Sequence, residues 1–260
     1  MKKILITGAS SGIGRTLAKK LIPYSQVWGV ARRKEPLLAL KKECGRNLFV
    51  SSVDISKESA WKKLVNNLKR SNFIPDIVIF NAGINDDDLK ENIILEKTKK
   101  IMDTNFYGPL YGLRLFLPLV KPQTQFIAIS SFSAFRRNFS PGLGYAASKS
   151  ALTLAFESLH HKYKSKFIFK TIFFGPIKTP MTKFAKYPPL VKTADEAAEF
   201  IIKAIESTKS NYYFPRSVYY ILSILRLMPM SLHEKIMLSV RQRYKDSSPL
   251  LPSHRIFRNF

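Results

Sequence analysis

The sequence predicts an α/β protein: a single-domain, doubly wound parallel sheet with a helical C-terminal extension. Two observations predict it. Short runs rich in β-branched and aromatic residues alternate with helix-period segments from Lys3 to Ile205, the pattern of strand–helix–strand units. The run Ile77-Val78-Ile79-Phe80 is apolar throughout, as suits a central strand covered on both faces. With 260 residues, 45% of them hydrophobic, the chain can bury a full-sized core, and no Gly/Ser/Pro-rich linker divides it.

The elements follow in order. Lys3 to Ile6 reads as a strand and Ile13 to Leu21 as a helix. Val27 to Val30 is the second strand, Glu35 to Cys44 the second helix. Leu48 to Val53 is a strand ending at Asp54, and Ser59 to Lys69 is helical. After Ile77–Phe80, a long helix is expected from Glu96 to Leu119, bent or interrupted by Gly108-Pro109. Phe126 to Ile129 is a strand, Ala146 to Tyr163 a helix and Lys170 to Phe174 a strand. Thr193-Ala194-Asp195-Glu196 is a capping-box signature that opens a helix through Ile205. Tyr212 to Phe214 adds a last strand. Trp28 and Trp61 read as packing groups, His160 and His161 as surface residues.

Composition excludes several classes. A single cysteine, Cys44, leaves no internal disulfide, and no Cys/His cluster has metal-site spacing, so no metal is expected. The apolar run after Met1-Lys2-Lys3 is too short for a signal peptide and leads straight into a glycine loop. No stretch is long and apolar enough to span a membrane. A cytoplasmic location is expected. The charge stands out: 43 Lys+Arg against 18 Asp+Glu give +25. Such an excess favours anionic surfaces, membrane or nucleic acid. Lysines scattered over solvated helix faces give the same number.

The segment Thr7 to Gly14 contains Gly8, Gly12 and Gly14 between the first strand and the first helix. Glycines there let the backbone approach a phosphate, and the helix N-terminus offers free N–H groups. The spacing is Gly-x-x-x-Gly-x-Gly. The second strand runs into Arg32-Arg33, with no acid before Glu35. A carboxylate at that place would hold the ribose hydroxyl of NAD; an arginine suits the 2′-phosphate of NADP. NADP(H) is therefore favoured over NAD(H).

At this point the chain resembles the short-chain dehydrogenase/reductase family over about residues 3–210. The resemblance rests on Thr7–Gly14, Asp54 after the third strand, Asn81-Ala82-Gly83 after the fourth and Asn105 in Asp-Thr-Asn-Phe. It also includes Ser130-Ser131 after the fifth strand, Tyr145-x-x-x-Lys149, and Gly175-Pro176-Ile177-Lys178-Thr179. It implies a Rossmann fold in which residues 1–213 are the dinucleotide-binding and catalytic domain and 214–260 a basic helical extension. It implies that Asn105, Ser131, Tyr145 and Lys149 are catalytic. Cofactor contacts would come from Gly8, Ser10, Ser11, Gly12, Ile13, Gly14, Arg32, Arg33, Asp54 and Ile55. Asn81, Ala82, Gly83, Tyr145, Lys149, Pro176, Ile177 and Thr179 would complete them. Three departures stand out. Gly175-Pro176 inverts the usual Pro-Gly order, Phe80 stands where an asparagine is often found, and the stretch from Ser131 to Tyr145 is one residue longer than the family pattern. Ser133 therefore competes for the serine role, although Ser131 lies better placed directly after the strand.

The residues also read chemically. Hydride transfer to a carbonyl leaves charge on oxygen, which needs a proton and a donor. Tyrosine is a poor base near neutrality. Lys149 lies one helical turn on, where its ammonium is expected to lower the pKa of Tyr145 and its N–H groups to reach the nicotinamide ribose. Ser131 would orient the substrate oxygen, and Asn105 would hold a relay water. The variable segment Met181–Val191, with Phe184, Tyr187, Pro188 and Pro189, fits a lid over a lipophilic ketone or alcohol. Val218 to Leu232 is apolar and is followed by Arg241, Arg243 and Lys245. That extension suits a pocket cover, a homo-oligomer interface or an anionic membrane surface. A non-catalytic NADP-binding regulator with the same fold is the main rival function. Nucleic-acid binding is disfavoured, because it rests on net charge alone.

Overall fold

The computed structural model describes residues 1–89, 92–135, 142–182, 191–229, 231, 232 and 235. The expected lid lies mostly outside the described residues, as do Arg241, Arg243 and Lys245. So do residues 136–141, within the lengthened stretch before Tyr145.

Strands β1 (Lys2–Thr7), β2 (Ser25–Ala31), β3 (Leu48–Ser52), β4 (Ile77–Phe80), β5 (Gln125–Ser131), β6 (Ile168–Phe174) and β9 (Asn211–Phe214) form the main sheet. Its order is β3-β2-β1-β4-β5-β6-β9, and every neighbouring pair is parallel. The strand order reverses between β1 and β4, which opens a crevice at their carboxyl ends. β7 (Ile177–Lys178) and β8 (Lys192–Thr193) make a separate two-stranded sheet.

Side chains alternate across the strands, so two cores form. Ile4 and Ile6 face helices α1 (Gly12–Leu21), α2 (Lys34–Cys44) and α7 (Ala194–Glu206), with Leu17, Leu37 and Ile201 in one cluster. Leu5 faces the other way, toward α3 (Glu58–Arg70), α5 (Gly108–Phe116) and α6 (Leu143–Tyr163), with Trp61, Phe116 and Phe156. Phe80 belongs to this second core. Its ring meets Trp61 and Phe156 at 6.2 and 6.0 Å between centroids, so an asparagine there would sit unpaired among aromatics.

Three details place the site. First, the helix expected from Glu96 to Leu119 is divided into α4 (Leu95–Met102), a π-turn at Asp103–Tyr107, and α5. Pro109 has no N–H to give to the carbonyl of Asn105 one turn back, and the Gly108 N–H reaches the Asp103 carbonyl instead. Second, α6 begins at Leu143, three residues before the expected Ala146. Third, α7 is fastened at both ends. Thr193 and Glu196 form the anticipated capping box. At the other end Lys170 reaches out of β6 and donates to the carbonyls of Ala204, Ile205 and Ser207 at 2.8, 3.0 and 2.7 Å. Helix α8 (Arg216–Leu227) follows β9.

Candidate active site

The glycine loop closes β1 onto α1. Gly8 and Gly12 take φ of 76° and 53°, a region that costs a side-chain-bearing residue strain. A Cβ on Gly14 would collide with the Gly8 carbonyl and the Asn81 amide. Asn81 holds the loop from the neighbouring strand end. Its Nδ2 donates to the Thr7 carbonyl at 2.9 Å, while the Thr7 hydroxyl accepts the N–H groups of Asn81 and Ala82 at 3.1 and 3.0 Å. Arg33 turns back over the loop and donates to the hydroxyls of Ser10 and Ser11 at 3.4 and 3.0 Å. Arg32 is exposed beside it. The loop is thus a backbone concavity at a helix N-terminus with a guanidinium at its rim, and a dinucleotide phosphate fits that chemistry.

Asp54 ends the next strand–loop junction. Its Oδ1 accepts the Ser56 N–H and hydroxyl at 3.1 and 2.7 Å. The buried Trp61 indole donates to the Ile55 carbonyl at 3.0 Å and fixes that loop. Beyond packing, then, Trp61 sets the backbone beside an expected cofactor contact. On the far side Thr179 touches the loop, 3.3 Å from where a Gly12 Cβ would lie. Gly175 explains the inverted Gly-Pro pair: a Cβ there would crowd the Phe132 ring and Pro215 at 3.2 Å. Pro176 is exposed, Ile177 is buried, and the Pro176 carbonyl accepts the Lys192 N–H at 3.1 Å.

The structure brings Ser131, Tyr145 and Lys149 together at the carboxyl end of β5. Ser131 ends the strand. Its hydroxyl accepts the Ser133 N–H at 3.1 Å and lies 3.2 Å from the Ser133 hydroxyl. It also hydrogen-bonds Tyr145. Ser133 therefore supports Ser131 from behind. Lys149 is 4% exposed, its Nζ donates to the Ile129 carbonyl at 2.7 Å, and it stands 5.9 Å from the centroid of the Tyr145 ring. Gly83 faces it: a Cβ there would lie 3.4 Å from Nζ and 3.3 Å from Asn105 Oδ1.

Burial pushes the Tyr145 hydroxyl above its ordinary pKa, and the Ser131 hydroxyl only partly opposes this. Burial also lowers Lys149 to about 8. The expectation that Lys149 lowers the Tyr145 pKa is therefore corrected for this arrangement. Desolvation disfavours the charged form of both groups and is the larger influence on Tyr145.

Asn105 is fully buried in the π-turn. Its Oδ1 accepts the Ile84 N–H at 2.8 Å, and its Nδ2 donates to the Ile84 carbonyl and the Ser148 hydroxyl at 2.9 and 3.1 Å. Its side-chain amide is thus committed to protein partners.

Aromatic rings back the serine turn. Phe135 meets Phe173 at 4.5 Å and Tyr213 at 6.1 Å, Phe132 meets Tyr219 of α8 at 6.4 Å, and Tyr213 stacks on Tyr219 at 3.8 Å. Among the described residues no group of three or more His, Cys, Asp or Glu could hold a metal ion, and no helix is long and apolar enough to cross a membrane.

The sequence model of the short chain dehydrogenase family matches residues 2–188. The chain belongs to the short-chain dehydrogenase/reductase family. It is thereby a member of a family of oxidoreductases. It is similar to an NADPH-dependent pterin aldehyde reductase of Arabidopsis thaliana, 33% identical over 156 residues, which is 58% of this chain and 64% of that one. It is also similar to an uncharacterized oxidoreductase of Myxococcus xanthus, 29% identical over 219 residues, 81% of this chain and 86% of that one. The match to the plant enzyme thus spans less than two thirds of that protein's length. Among solved structures, a short chain dehydrogenase from Burkholderia cenocepacia in complex with NADP superposes with a TM-score of 0.77 at 22% identity, covering 90% of this chain and 97% of that one. That likeness is one of fold.

Proposed function

We propose that this short-chain dehydrogenase/reductase is an NADP(H)-dependent enzyme that interconverts a lipophilic ketone and a secondary alcohol, with Tyr145 as general acid/base. The observation that carries the reading is the convergence of Tyr145, Ser131 and Lys149 beside a glycine cradle rimmed by Arg33. The cofactor, when bound, supplies or accepts the hydride at its nicotinamide. Gly8, Ser10, Ser11, Gly12, Ile13 and Gly14 would hold its pyrophosphate, with Arg33 and Arg32 on the 2′-phosphate. Asp54 and Ile55 would meet the adenine, and Asn81, Ala82 and Gly83 the adjoining wall. Pro176, Ile177 and Thr179 would border the nicotinamide. Lys149 would turn its remaining N–H groups to the ribose.

In the reducing direction Ser131 donates a hydrogen bond to the carbonyl oxygen and fixes its place. The Tyr145 O–H proton passes to that oxygen as the alcohol forms. Burial leaves the Tyr145 hydroxyl protonated near neutrality, the form a proton donor needs, while making it a weaker acid than an unburied tyrosine. Asn105 and Lys149 would refill the tyrosine through a water. The plant relative's NADPH dependence supports the cofactor assignment, as does the absence of a carboxylate at the end of β2. Phe132 and Tyr219 beside the serine turn support an apolar substrate.

The test is NADPH consumption against a panel of steroid, acyl and quinone-like carbonyls. We expect turnover that Tyr145→Phe abolishes while cofactor affinity stays. We also expect NADPH to bind more tightly than NADH. Arg33→Ala should erase most of that preference, roughly 10-fold or more for a lost charge-assisted hydrogen bond. NADPH binding with no turnover on any carbonyl would instead identify a non-catalytic NADP-binding regulator.

A second reading concerns the surroundings. Tyr220, Ile221, Ile224 and Leu227 lie on one face of α8 and are 50–87% exposed. Together with the net charge of +25, this face supports peripheral attachment of a cytoplasmic enzyme to an anionic membrane, where each basic residue would add about 1 kcal/mol. Covering by a second subunit of a dimer or tetramer is the competing outcome. Flotation with phosphatidylserine vesicles at low salt, compared between wild type and Ile224→Glu/Leu227→Glu, decides between them. Light scattering of the same two proteins reports the oligomer.

A further inference from the structure

A buried carboxylate underlies the start of helix α6. Asp88 lies in the loop after β4 and is 0% exposed. Its Oδ1 accepts the Leu143 N–H at 2.7 Å, and its Oδ2 accepts the Gly144 N–H and the Thr98 hydroxyl, both at 2.7 Å. These two N–H groups are the first of helix α6, which bears Tyr145 one residue later and Lys149 one turn beyond. Thr98 belongs to α4, the helix that runs into the Asn105 π-turn. The Asp88 backbone carbonyl also accepts the Ile94 N–H at 2.9 Å. One carboxylate thus ties three segments of the site.

The surroundings are built to admit it. A Cβ on Gly142 would collide with Oδ1, and one on Gly144 would come within 2.8 Å of Oδ2. Gly142 has an extended backbone, φ −135° and ψ 168°, which any residue can adopt. Glycine is required there for space. Burial opposes the anion, but Thr98 and the two backbone N–H groups outweigh it and hold the carboxyl below its usual range. Neighbouring acids do not share this role: Asp86 pairs with Lys97 at 2.9 Å in a part-exposed bridge.

We propose that Asp88 is a positioning residue for the proton transfer: it fixes the start of α6, and so sets Tyr145 against Ser131 and the Asn105 turn. The inference rests on the reading of Tyr145 as the acid/base. A helix otherwise free to fray at its first turn would carry the tyrosine hydroxyl away from the substrate oxygen. Asparagine cannot replace the carboxylate, because its NH2 would face one of the two N–H donors.

The experiment uses the full chain and whichever panel carbonyl the wild type reduces fastest. Asp88→Ala should lower kcat about 100-fold, the scale of an ångström misplacement, with the NADPH dissociation constant unchanged. Amide exchange should quicken in residues 143–149 and stay unchanged in α1. Gly142→Ala, which leaves the carboxylate in place, should give the same pattern. In the Asp88→Ala background Gly142→Ala should cost little more, because the Oδ1 it strikes is gone and only the Asp86 carbonyl remains close, at 3.1 Å. Should Asp88→Ala fail to fold, Gly142→Ala carries the test alone. Wild-type kcat in the folded variant, a matching loss of NADPH affinity, or additive effects in the double variant overturns the proposal. An active Tyr145→Phe overturns the tyrosine assignment instead, whatever Asp88 does.

Discussion

Among the described residues two lysines are buried, Lys149 on α6 and Lys170 on β6, at 4% and 2% exposure. Burial brings both to a pKa of about 8, with the charge of Lys2 adding to the effect at Lys170. They differ in what they do with their donors. An ammonium has three N–H groups. Lys170 gives them to three carbonyls at the end of α7, whereas Lys149 has one acceptor among the described residues, the Ile129 carbonyl. A buried polar group with every hydrogen bond filled is a fastener. One with donors to spare, beside a glycine that keeps its surroundings open, is suited to receive a ligand. Desolvation alone does not tell the two apart; hydrogen-bond saturation does.

The largest effect expected from this contrast is on activity. Lys149→Met should cut turnover about 10²- to 10⁴-fold and weaken NADPH binding. Its melting temperature should hold or rise, because an apolar chain of similar length replaces a desolvated amine. A steep drop in melting temperature would make Lys149 a fastener as well. Lys170→Met should do the reverse. It strands three carbonyls and should cost about 2–4 kcal/mol in urea unfolding after relief of the buried amine is counted, with NADPH affinity unchanged. Weakened cofactor binding in Lys170→Met would break the comparison from the other side.

A smaller effect follows from pH. Each lysine has a folded pKa near 8, below its ordinary 10.5, so the folded state binds fewer protons between those values. Stability from these groups therefore grows as pH rises from about 8 toward 10.5. Removing either lysine should flatten that rise in urea midpoints measured on both sides of the window. Asp88 has the opposite sense. Its folded pKa lies below 3.8, so its contribution is present above 3.8 and disappears as pH falls through the folded value. Asp88→Ala should remove that acid limb. The smallest effect is at the other end of α7. Thr193→Ala should cost about 1 kcal/mol as a lost N-cap and leave the lysine contrast untouched.

What the sequence reveals of this site depends on how local each constraint is. Gly8, Gly12 and Gly14 are legible because only glycine meets the backbone angles or the close approach there. Tyr145 and Lys149 are legible because one helical turn brings them together. Asp88 is not. It is the last of three consecutive aspartates, and its partners are N–H groups at Leu143 and Gly144, far along the chain. The only trace is the pair of glycines at 142 and 144, and the same distant cap explains why α6 starts ahead of its apolar pattern. The fold shows the same division. Strand–helix alternation and the capping box at Thr193 can be read directly. The π-turn at Asp103–Tyr107 cannot, although Pro109 marks where the helix must give way. Lys170 looks like the polar start of a strand, yet β6 begins at Ile168 and its amine serves a helix end that no local pattern connects to it. The direction of the Tyr145 shift is not legible either, because charge proximity is visible in sequence and burial is not.

The rings behind Ser131 set an order for how the molecule is made. β1 through β5, with the glycine loop and Asn81, emerge from the ribosome first and can join as neighbours in one sheet. The turn at Phe132–Phe135 must wait for Tyr213 and Tyr219, among the last of the described elements to be synthesised. A nascent chain can therefore hold the glycine loop and its Asn81 support while Thr179, which closes on that loop, and the back wall of the serine turn are still to be made, with the long-range contacts arriving last.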